Sequence, residues 1–355
     1  MRTKVKTKIR TKVVISVLLT VVIFGGLYSI GHLSYSSIPF IRSKVDLFRG
    51  RREVNKLNKY LSGSKLEWKA SMTNLSTMNP DQFSKYFGSV DLSTGENIDF
   101  YDEIYKNNFG NDMRTPYSKK HTWDNVEGIN YMSPVRDQQG CGSCWAHTAV
   151  GVTEGQLNID IDNQSNLLEQ DIDNKFNLSE QELVSCSDAG TCSGGSIRRA
   201  FSYINIFGLL KEDCFKYKAN DLLCDPVCYT RYYIHDWFHI PESYTDSEMV
   251  GQIKKIIYNN GPTSLAIKVF PSYRHYDSGV YQHIDGENVV SNHGVVLLGY
   301  NDDLRAFRIK DSHGTDWGED GYAWISYDEC CGDEVDGDLE KKAMVKKSIY
   351  GVLTK

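Results

Sequence analysis

The segment GCGSCWAH, residues 140–147, places two cysteines three positions apart, directly before a tryptophan and a histidine. Cysteines at this spacing serve as a redox pair, as half of a zinc site, or as a structural cysteine beside a reactive one. A redox CxxC follows a strand, whereas PVRDQQG, which precedes this pair, has the composition of a loop. A zinc site needs a second ligand pair at similar spacing, and CDPVC at 224–228 comes closest.

The third interpretation requires Cys144 at the start of a helix and an imidazole to take its proton. Ser143 is a good N-cap residue, and CWAHTAVGVTEGQLNI continues without a proline. A thiol in the first turn lies at the positive end of the helix dipole, which favours the thiolate. His293, in SNHGVVLLGYN at the start of an apolar strand, follows Cys144 by 149 residues. That separation lies within the roughly 130–150 residues found in one class of enzymes that pair cysteine with histidine.

The N-terminal residues differ from the rest of the chain in charge and hydropathy. Residues 1–12 carry six basic and no acidic side chains, although the 355-residue chain has a net charge of −6. An acidic body without a basic stripe argues against nucleic acid as a partner. The run VVISVLLTVVIFGGLYSIGHL, residues 13–33, is long and apolar enough to cross a bilayer.

These features predict a single-pass membrane protein with a cytosolic basic tail at 1–12 and a transmembrane signal anchor at 13–33. The remaining chain would then be lumenal or extracellular, and an endolysosomal compartment is one such lumen. The alternative is a signal peptide, whose apolar region is usually shorter and whose cleavage would make the protein secreted.

A cysteine-free stretch separates this anchor from a cysteine-rich body. Residues 34–118 contain none of the nine cysteines, and such a spacer is typical of a stalk or a pro-segment. We predict that the main domain occupies 119–355. Nine cysteines suit an oxidising compartment, and their odd number leaves at least one thiol free. Sequons for glycosylation occur at Asn74, Asn163 and Asn177.

Five stretches stand in the order and spacing of the papain family of cysteine peptidases: PVRDQQGCGSCWAH, LSEQELVSCS, CSGGSIRRAFSYI, NHGVVLLGY and KDSHGTDWGEDGYAWI. Residues 121–327 therefore resemble that family's catalytic domain. WDNVEGINYMSPVRDQ, EDCFKY and CDPVCYTRYY are most similar to its dipeptidyl peptidase I (cathepsin C) branch, and VNKLN and WKA weakly resemble that branch's pro-segment. The resemblance implies an α+β fold in which a mostly helical half, 121–225, meets a β-barrel-like half, 226–350, at a cleft.

The resemblance also implies a thiol-dependent hydrolysis of peptide bonds. Cys144 would attack the peptide carbonyl as a thiolate paired with the imidazolium of His293, which then protonates the departing amine before water resolves the thioester. Gln138 would hold the oxyanion together with the backbone N–H of Cys144. No metal and no organic cofactor is needed.

Further residues acquire expected roles from the same motifs. Gly194 and Gly195 would offer bare backbone to an extended substrate strand, and Trp317 would line the leaving-group side of the cleft. The resemblance implies three disulfides and leaves Cys330 and Cys331 unassigned; the pairs are Cys141–Cys192, Cys186–Cys224 and Cys214–Cys228.

Three positions depart from the family pattern. Asp311 replaces the asparagine that orients the histidine, and its negative charge should favour the imidazolium. His313 replaces the tryptophan that shields this bond, and His147 replaces a phenylalanine. The alternative function is therefore a catalytically impaired homologue that binds peptides or has a structural role.

The segment before the catalytic region bears on which peptide bonds would be cut. Members of the dipeptidyl peptidase I branch remove two residues at a time because an extra N-terminal domain blocks the cleft. Residues 34–118 contain no cysteine and no convincing hydrophobic core for such a domain. We therefore expect an endopeptidase made as a zymogen, whose own pro-segment lies across the cleft as an inhibitor until it is removed.

Overall fold

The computed structural model describes five stretches of the chain: residues 39–91, 98–109, 118–165, 176–330 and 349–354. The chain divides into two units, Met1–Val45 and Asp46–Lys355, and the fold described below is that of the second. Among the described residues no helix combines the length and apolar character needed to cross a bilayer. The predicted tail at 1–12 and anchor at 13–33 lie outside the described residues.

The residues that precede the catalytic region form helices and short strands. These elements are α1 (Pro39–Leu61), β1 (Trp68–Ala70), α2 (Pro80–Phe87), β2 (Ser89–Val90) and α3 (Ile98–Phe109). The buried side chains of this region include Leu75, Phe83, Phe87 and Tyr105, which share one apolar core with the C-terminal sheet. A stalk would expose such side chains to water, so this packing agrees with the pro-segment interpretation of 34–118.

The helical half surrounds one central helix. Its elements are α4 (Cys144–Ser165), β4 (Gly190–Thr191), β5 (Gly194–Gly195), α5 (Glu180–Cys186) and α6 (Ile197–Phe207). Helix α4 is buried on every side from Cys144 to Gln156, as expected of a helix inside a core rather than on a surface. Ser179 caps α5, because its hydroxyl accepts a hydrogen bond from the backbone N–H of Glu182.

The C-terminal half is a mostly antiparallel sheet. Its helices are α7 (Asp246–Asn259) and α8 (Tyr327–Cys330). Its strands are β3 (Lys120–Thr122), β6 (Asp236–His239), β7 (Thr263–Val269), β8 (Tyr276–Tyr281), β9 (Ser291–Asn301), β10 (Ala306–Lys310), β11 (Tyr322–Ser326) and β12 (Tyr350–Leu353). In the described part of the chain the strand order is β1-β8-β11-β10-β9-β7-β12-β6, with β3 also paired to β9. The pro-segment thus contributes the edge strand β1.

The position of β9 brings the two halves together at the candidate site. In β9, His293 lies opposite Ile267 of β7, and the neighbouring strand β10 ends one residue before Asp311. Helix α4 packs directly on β9. A Cβ added to Gly294 would come within 2.9 Å of the Thr148 hydroxyl, so this close approach of helix and strand needs a glycine.

Candidate active site

Cys144 is the first residue of α4, and it is the free cysteine of the described chain. The structure joins the other described thiols in three disulfides, Cys141–Cys192, Cys186–Cys224 and Cys214–Cys228. Both cysteines of the CDPVC segment are therefore bonded elsewhere, and no second thiol pair remains there for zinc. The CxxC of residues 141–144 combines one bridged cysteine with one free thiol, which also removes the redox interpretation. Cys331 and the side chain of Cys330 lie outside the described residues.

His293 and Asp311 form a buried hydrogen-bonded pair beside this thiol. The Nε2 atom of His293 lies 2.9 Å from Oδ1 of Asp311, and neither side chain is exposed to solvent. The same carboxylate accepts the backbone N–H of Ser312 at 2.6 Å on Oδ1 and the hydroxyl of Tyr273 at 2.5 Å on Oδ2. Three donors therefore stabilise the buried charge of this carboxylate.

The electrostatics of the pair favour opposite charges. Burial alone raises the pKa of Asp311, but the electrostatic effect of the neighbouring His313 and His293 side chains outweighs it and holds that pKa below its usual value. Burial lowers the pKa of His293, but the negative charges of Asp311 and the Cys144 thiolate outweigh it and raise that pKa. The carboxylate thus stabilises the imidazolium, and the imidazolium in turn stabilises a thiolate.

Gln138 is held at the site through both ends of its amide. Its Nε2 donates to the carbonyl oxygens of Tyr86, at 2.9 Å, and Cys141, at 3.0 Å. Its Oε1 accepts the hydroxyl of Ser312 at 2.7 Å, which fixes the amide so that its NH₂ group faces the cleft. The side chain predicted to hold an oxyanion therefore already donates to a carbonyl oxygen.

His313 and His147, which stand where the family has a tryptophan and a phenylalanine, differ in their surroundings. The ring of His313 is stacked on His293 with 4.7 Å between centroids, and its Nδ1 approaches Oδ1 of Asp311 to 2.7 Å. His147 is buried against Tyr217, and burial lowers its pKa to about 4. A neutral ring at this position fills the space of the usual phenylalanine, so His147 has no visible link to the reaction.

Residues 86–90 of the pro-segment lie across the candidate cleft. The thiol of Cys144 donates to the carbonyl oxygen of Phe87 at 3.4 Å, and the Phe87 ring packs edge-on against His293 with 4.8 Å between centroids. Beyond this point β2 pairs in parallel with β5, placing Ser89 opposite Gly194 and Val90 opposite Gly195. The two glycines that were predicted to bind substrate backbone therefore bind the chain's own backbone here.

Trp317 is buried next to the site. Its Nε1 donates to the carbonyl oxygen of Tyr273 at 3.0 Å, and its ring lies 5.7 Å from that of His313. Its side chain is fully covered in this form of the chain, and its role in lining the cleft stays a prediction.

Two groups of residues at the site were not predicted from the sequence. Tyr273, which donates to Asp311, lies outside every motif, and nothing in its neighbourhood marks it. Tyr86 and Phe87 reach the cleft from the pro-segment, and the available signal was an aromatic pair followed by Gly88.

The predicted sequon at Asn74 is a poor glycosylation site in this packing. The side-chain nitrogen that would carry the glycan donates to the backbone oxygen of His313 at 2.7 Å. The side chain of Asn163 lies outside the described residues, and Asn177 is half-buried, with its side-chain oxygen accepting a hydrogen bond from Arg136.

Comparison with known proteins assigns the family. The family model described as "Papain family cysteine protease" matches residues 118–337. The chain is 33% identical over 205 residues to cathepsin K of Gallus gallus, covering 55% of this chain and 56% of that protein. It is 29% identical over 289 residues to falcipain-2b of Plasmodium falciparum (isolate 3D7), covering 77% of this chain and 53% of that protein. The chain thus spans about half the length of these curated relatives.

Solved structures of proenzymes share the fold. Digestive procathepsin L 3 of Tenebrio molitor larval midgut superposes with a TM-score of 0.66 at 23% identity, over 89% of this chain and 93% of that one. A recombinant stem bromelain precursor gives a TM-score of 0.66 at 19% identity, over 90% and 95% of the two chains. At such low identity these matches establish the fold alone.

The chain belongs to the papain family of cysteine proteases. The predicted family and the α+β, papain-like fold of the catalytic region are confirmed. The relatives named here are a cathepsin and a falcipain, so the particular likeness to dipeptidyl peptidase I stays a prediction.

Proposed function

We propose that this chain hydrolyses peptide bonds with Cys144 as the nucleophile and His293 as its proton partner. The observation that carries the proposal is the buried array in which His293 interacts with the free thiol of Cys144 and lies 2.9 Å from Asp311. Asp311 orients the imidazole and stabilises its positive charge, and the NH₂ group of Gln138 stabilises the oxyanion. Removal of one such donor typically lowers the rate by about 10²–10³.

The reaction follows from these positions. The thiolate attacks the carbonyl carbon, the carbonyl oxygen takes the negative charge towards Gln138, and the imidazolium gives its proton to the departing amine. Water then attacks the thioester with the neutral imidazole of His293 as general base, which releases the acid product and regenerates the thiol.

The pro-segment acts in this proposal as an inhibitor and not as a substrate. The sulfur of Cys144 faces the carbonyl oxygen of Phe87, whereas an attack requires the carbonyl carbon. The NH₂ group of Gln138 donates to a different carbonyl, that of Tyr86. The nucleophile and the oxyanion donor are therefore directed at two different peptide groups, and neither peptide is activated.

We further propose that the released enzyme is an endopeptidase and not a dipeptidyl peptidase. The pro-segment passes the thiol as a continuous chain, from Tyr86 beside His313 to Val90 opposite Gly195. A cleft that holds a continuous chain on both sides of the sulfur, the end of α2 on one side and β2 on the other, has room for substrate on both sides of the cleaved bond.

Two fluorogenic peptides of the same sequence test this choice. One is acylated at its N-terminus and the other has a free amine. The processed enzyme should cleave the acylated peptide at least as fast as the free one. Strict dependence on the free amine would show that a group captures the substrate's N-terminus, and the dipeptidyl peptidase alternative would then hold.

The proposed nucleophile is tested by labelling the processed chain with an epoxysuccinyl probe and mapping the modified peptide. The label should lie on Cys144, and Cys144→Ala should lose both labelling and hydrolysis while the circular dichroism spectrum is retained. A label on Cys330 or Cys331, or hydrolysis by the variant, would refute the assignment.

The second candidate function is a peptide-binding homologue with impaired chemistry. It is favoured by the carboxylate at position 311, whose negative charge raises the pKa of His293 against the effect of burial and so holds the imidazolium proton more firmly than a neutral amide would. This candidate would be supported if the chain binds a peptide tightly without cleaving it and if the probe does not label Cys144.

We also propose that residues 13–33 anchor the chain in a membrane with the peptidase on the lumenal or extracellular side. The support is the charge and hydropathy pattern of the sequence alone. In sealed microsomes, residues 45 onward should be protected from added protease. A mature, fully soluble protein that begins near Ser34 to Ile41 would instead identify a signal peptide.

A further inference from the structure

Three side chains next to the reacting sulfur form a cluster of the type that binds metal ions. His293, Asp311 and His313 offer ligand atoms that all lie within 4.8 Å of one another, and all three residues are buried. Two of these atoms approach the same carboxylate oxygen. Nε2 of His293 lies 2.9 Å from Oδ1 of Asp311, and Nδ1 of His313 lies 2.7 Å from it.

The histidine at position 313 is the member that hydrolysis does not explain. A residue that only shields the neighbouring hydrogen bond needs an apolar ring. Both ring nitrogens of His313 are instead buried without a hydrogen-bond partner, although Nδ1 approaches Oδ1 of Asp311 to 2.7 Å. A buried polar atom without a partner costs free energy, so a ligand that satisfies these nitrogens would be stabilising.

We propose that His293, Asp311 and His313 bind one zinc ion after the pro-segment has left the cleft, and that this ion inhibits the peptidase. Two imidazoles and one carboxylate, with a fourth position open to water, form a ligand set that zinc adopts readily. Magnesium and calcium prefer sets made of oxygen atoms and should not compete.

The geometry requires only local movement. Zinc lies about 2.0–2.2 Å from each nitrogen or oxygen ligand, so tetrahedral ligands stand slightly farther apart than the 2.7–2.9 Å seen here. The rings of His293 and His313 are nearly parallel, at 15°, and a rotation of the His313 ring is needed to direct its lone pair at the ion.

The pro-segment prevents this movement and closes the entry path. The ring of Phe87 packs edge-on against both histidines, at 4.8 Å from His293 and 5.2 Å from His313. Tyr86 covers His313 from another side at 5.2 Å. The zinc site is therefore a property of the processed chain and not of the zymogen.

The inhibition follows from the loss of the partner that orients His293. An ion on Nε2 of His293 takes the position of the proton directed at Asp311 and occupies the carboxylate, since metal binding to imidazole requires its neutral form. The zinc-bound ring then follows the ion and not Asp311, which turns its Nδ1–H away from the Cys144 thiolate and from the leaving group. This consequence rests on the proposed function, but zinc binding itself does not.

The test uses a chain that cannot react, so that binding is measured apart from hydrolysis. The full-length Cys144→Ser variant is matured by a second protease, and Zn²⁺ binding is measured by calorimetry. One ion per chain is expected. His313→Trp, which introduces the residue usual in the family, should weaken binding by at least about tenfold, since even the loss of an outer-sphere partner costs 10–100-fold. Equal affinity in the two chains would overturn the proposal.

A histidine–carboxylate pair outside the cleft provides the matched control. His283 lies 2.7 Å from Glu329, so His283→Gln removes a histidine from a comparable histidine–carboxylate pair. It should leave Zn²⁺ affinity unchanged, and a loss equal to that of His313→Trp would overturn the assignment. The unprocessed Cys144→Ser chain should not bind zinc, and equal binding before and after maturation would refute the role given to the pro-segment.

Cobalt distinguishes this site from an alternative metal site formed by the Cys144 thiolate and His293. With Cys144 restored, Co²⁺ bound by His293, Asp311 and His313 should give weak visible bands without a sulfur-to-cobalt charge-transfer band. A strong charge-transfer band that persists in His313→Trp would assign the metal to Cys144 and His293 and overturn the proposal. If the tryptophan variant fails to fold by circular dichroism, His313→Phe replaces it in both measurements. Loss of peptidase activity in any chain leaves these binding results unaffected.

Discussion

Gly88 is the position at which the pro-segment can be displaced from the cleft without a change in any catalytic side chain. It follows α2 with φ 64° and ψ −152°, a region that essentially only glycine occupies. A Cβ at this position would stand 2.8 Å from the carbonyl oxygen of Gly142 and 3.1 Å from the Cα of Gly194. Both neighbours are backbone atoms, so neither can rotate away. Gly88→Ala should therefore push residues 86–90 out of the cleft.

The size of the effect follows from the strain. A side chain forced into such a backbone region costs roughly 1–3 kcal/mol, and each 1.4 kcal/mol is a factor of ten in an equilibrium constant. The closed state of the cleft should thus be destabilised roughly 5- to 150-fold. The rest of the pro-segment remains anchored, since Trp68, Leu75 and Phe83 are buried in the shared core. The opening should be confined to the cleft.

The assay is the rate at which an epoxysuccinyl probe labels Cys144 in the unprocessed chain. This rate is proportional to the fraction of open clefts, so it should rise by the same factor. Gly63→Ala is the matched control, because it lies in the same pro-segment and its added Cβ would meet nothing closer than 3.7 Å. The processed wild-type chain sets the upper limit of the rate.

The prediction is refuted if Gly88→Ala and Gly63→Ala are labelled at the same slow rate while the processed chain is labelled quickly. That result would mean that residues 86–90 do not control access to the thiol. A fast rate in the unprocessed wild type would have the same meaning.

Three further predictions address the site and the fold. Asp311→Ala should lower kcat/KM roughly 10–100-fold more than Asp311→Asn, which keeps an acceptor for His293. Asp311 raises the pKa of His293 against the effect of burial, so Asp311→Asn should also move the alkaline limb of the kcat/KM profile to lower pH. An alkaline limb at the wild-type pH would contradict this. Burial and the nearby Arg274 lower the pKa of His275 to about 3, and its Nδ1 lies 2.8 Å from Ser76 of the pro-segment. Docking of the pro-segment should therefore be strongest above pH ~6.5 and should weaken at lower pH, because acid protonates His275 when the pro-segment is released. Probe labelling of the unprocessed His275→Asn chain should depend less on pH than that of the wild type. Tyr105→Ala should lower the free energy of unfolding, measured by denaturant titration, by about 3–5 kcal/mol, because this side chain is buried. The control Tyr60→Ala, at a half-exposed position, should lower it by under about 0.5 kcal/mol. Equal losses in the two variants would refute the buried packing of α3.

Local signals in the sequence explain why the reactive groups could be identified. The N-cap residue before Cys144, the unbroken run after it and the apolar strand after His293 each depend on neighbours in the chain. The resemblance to the papain family added Gln138 and Asp311 by motif, and the structure places all of these residues together. The described apolar side chains of 34–118 are buried against the catalytic region, and the sequence alone did not show that this segment docks there.

The missed contacts join residues that are far apart in the sequence. Thr73 of the pro-segment donates to the backbone oxygen of Arg274, 201 positions later, and Tyr273 donates to Asp311 from the short 3₁₀ helix Pro271–His275. A short segment such as KYFGSV contains too few residues to show, by periodicity, where it will dock. Its place in the cleft depends on the surface formed by the folded catalytic region.

The sequence by itself determined which chemical groups are present and what each is able to do: a thiol at a helix start, an imidazole on a buried strand, and a carboxylate in an amide's usual place. Only the tertiary structure decided what each group faces. The alignment of β7, β9 and β10 places Asp311 behind His293, and the parallel pairing of β2 with β5 places the pro-segment over the thiol. The reason is physical: side-chain type and local propensity act over a few residues, whereas the distance between remote side chains is set by strand register and by packing of the whole core.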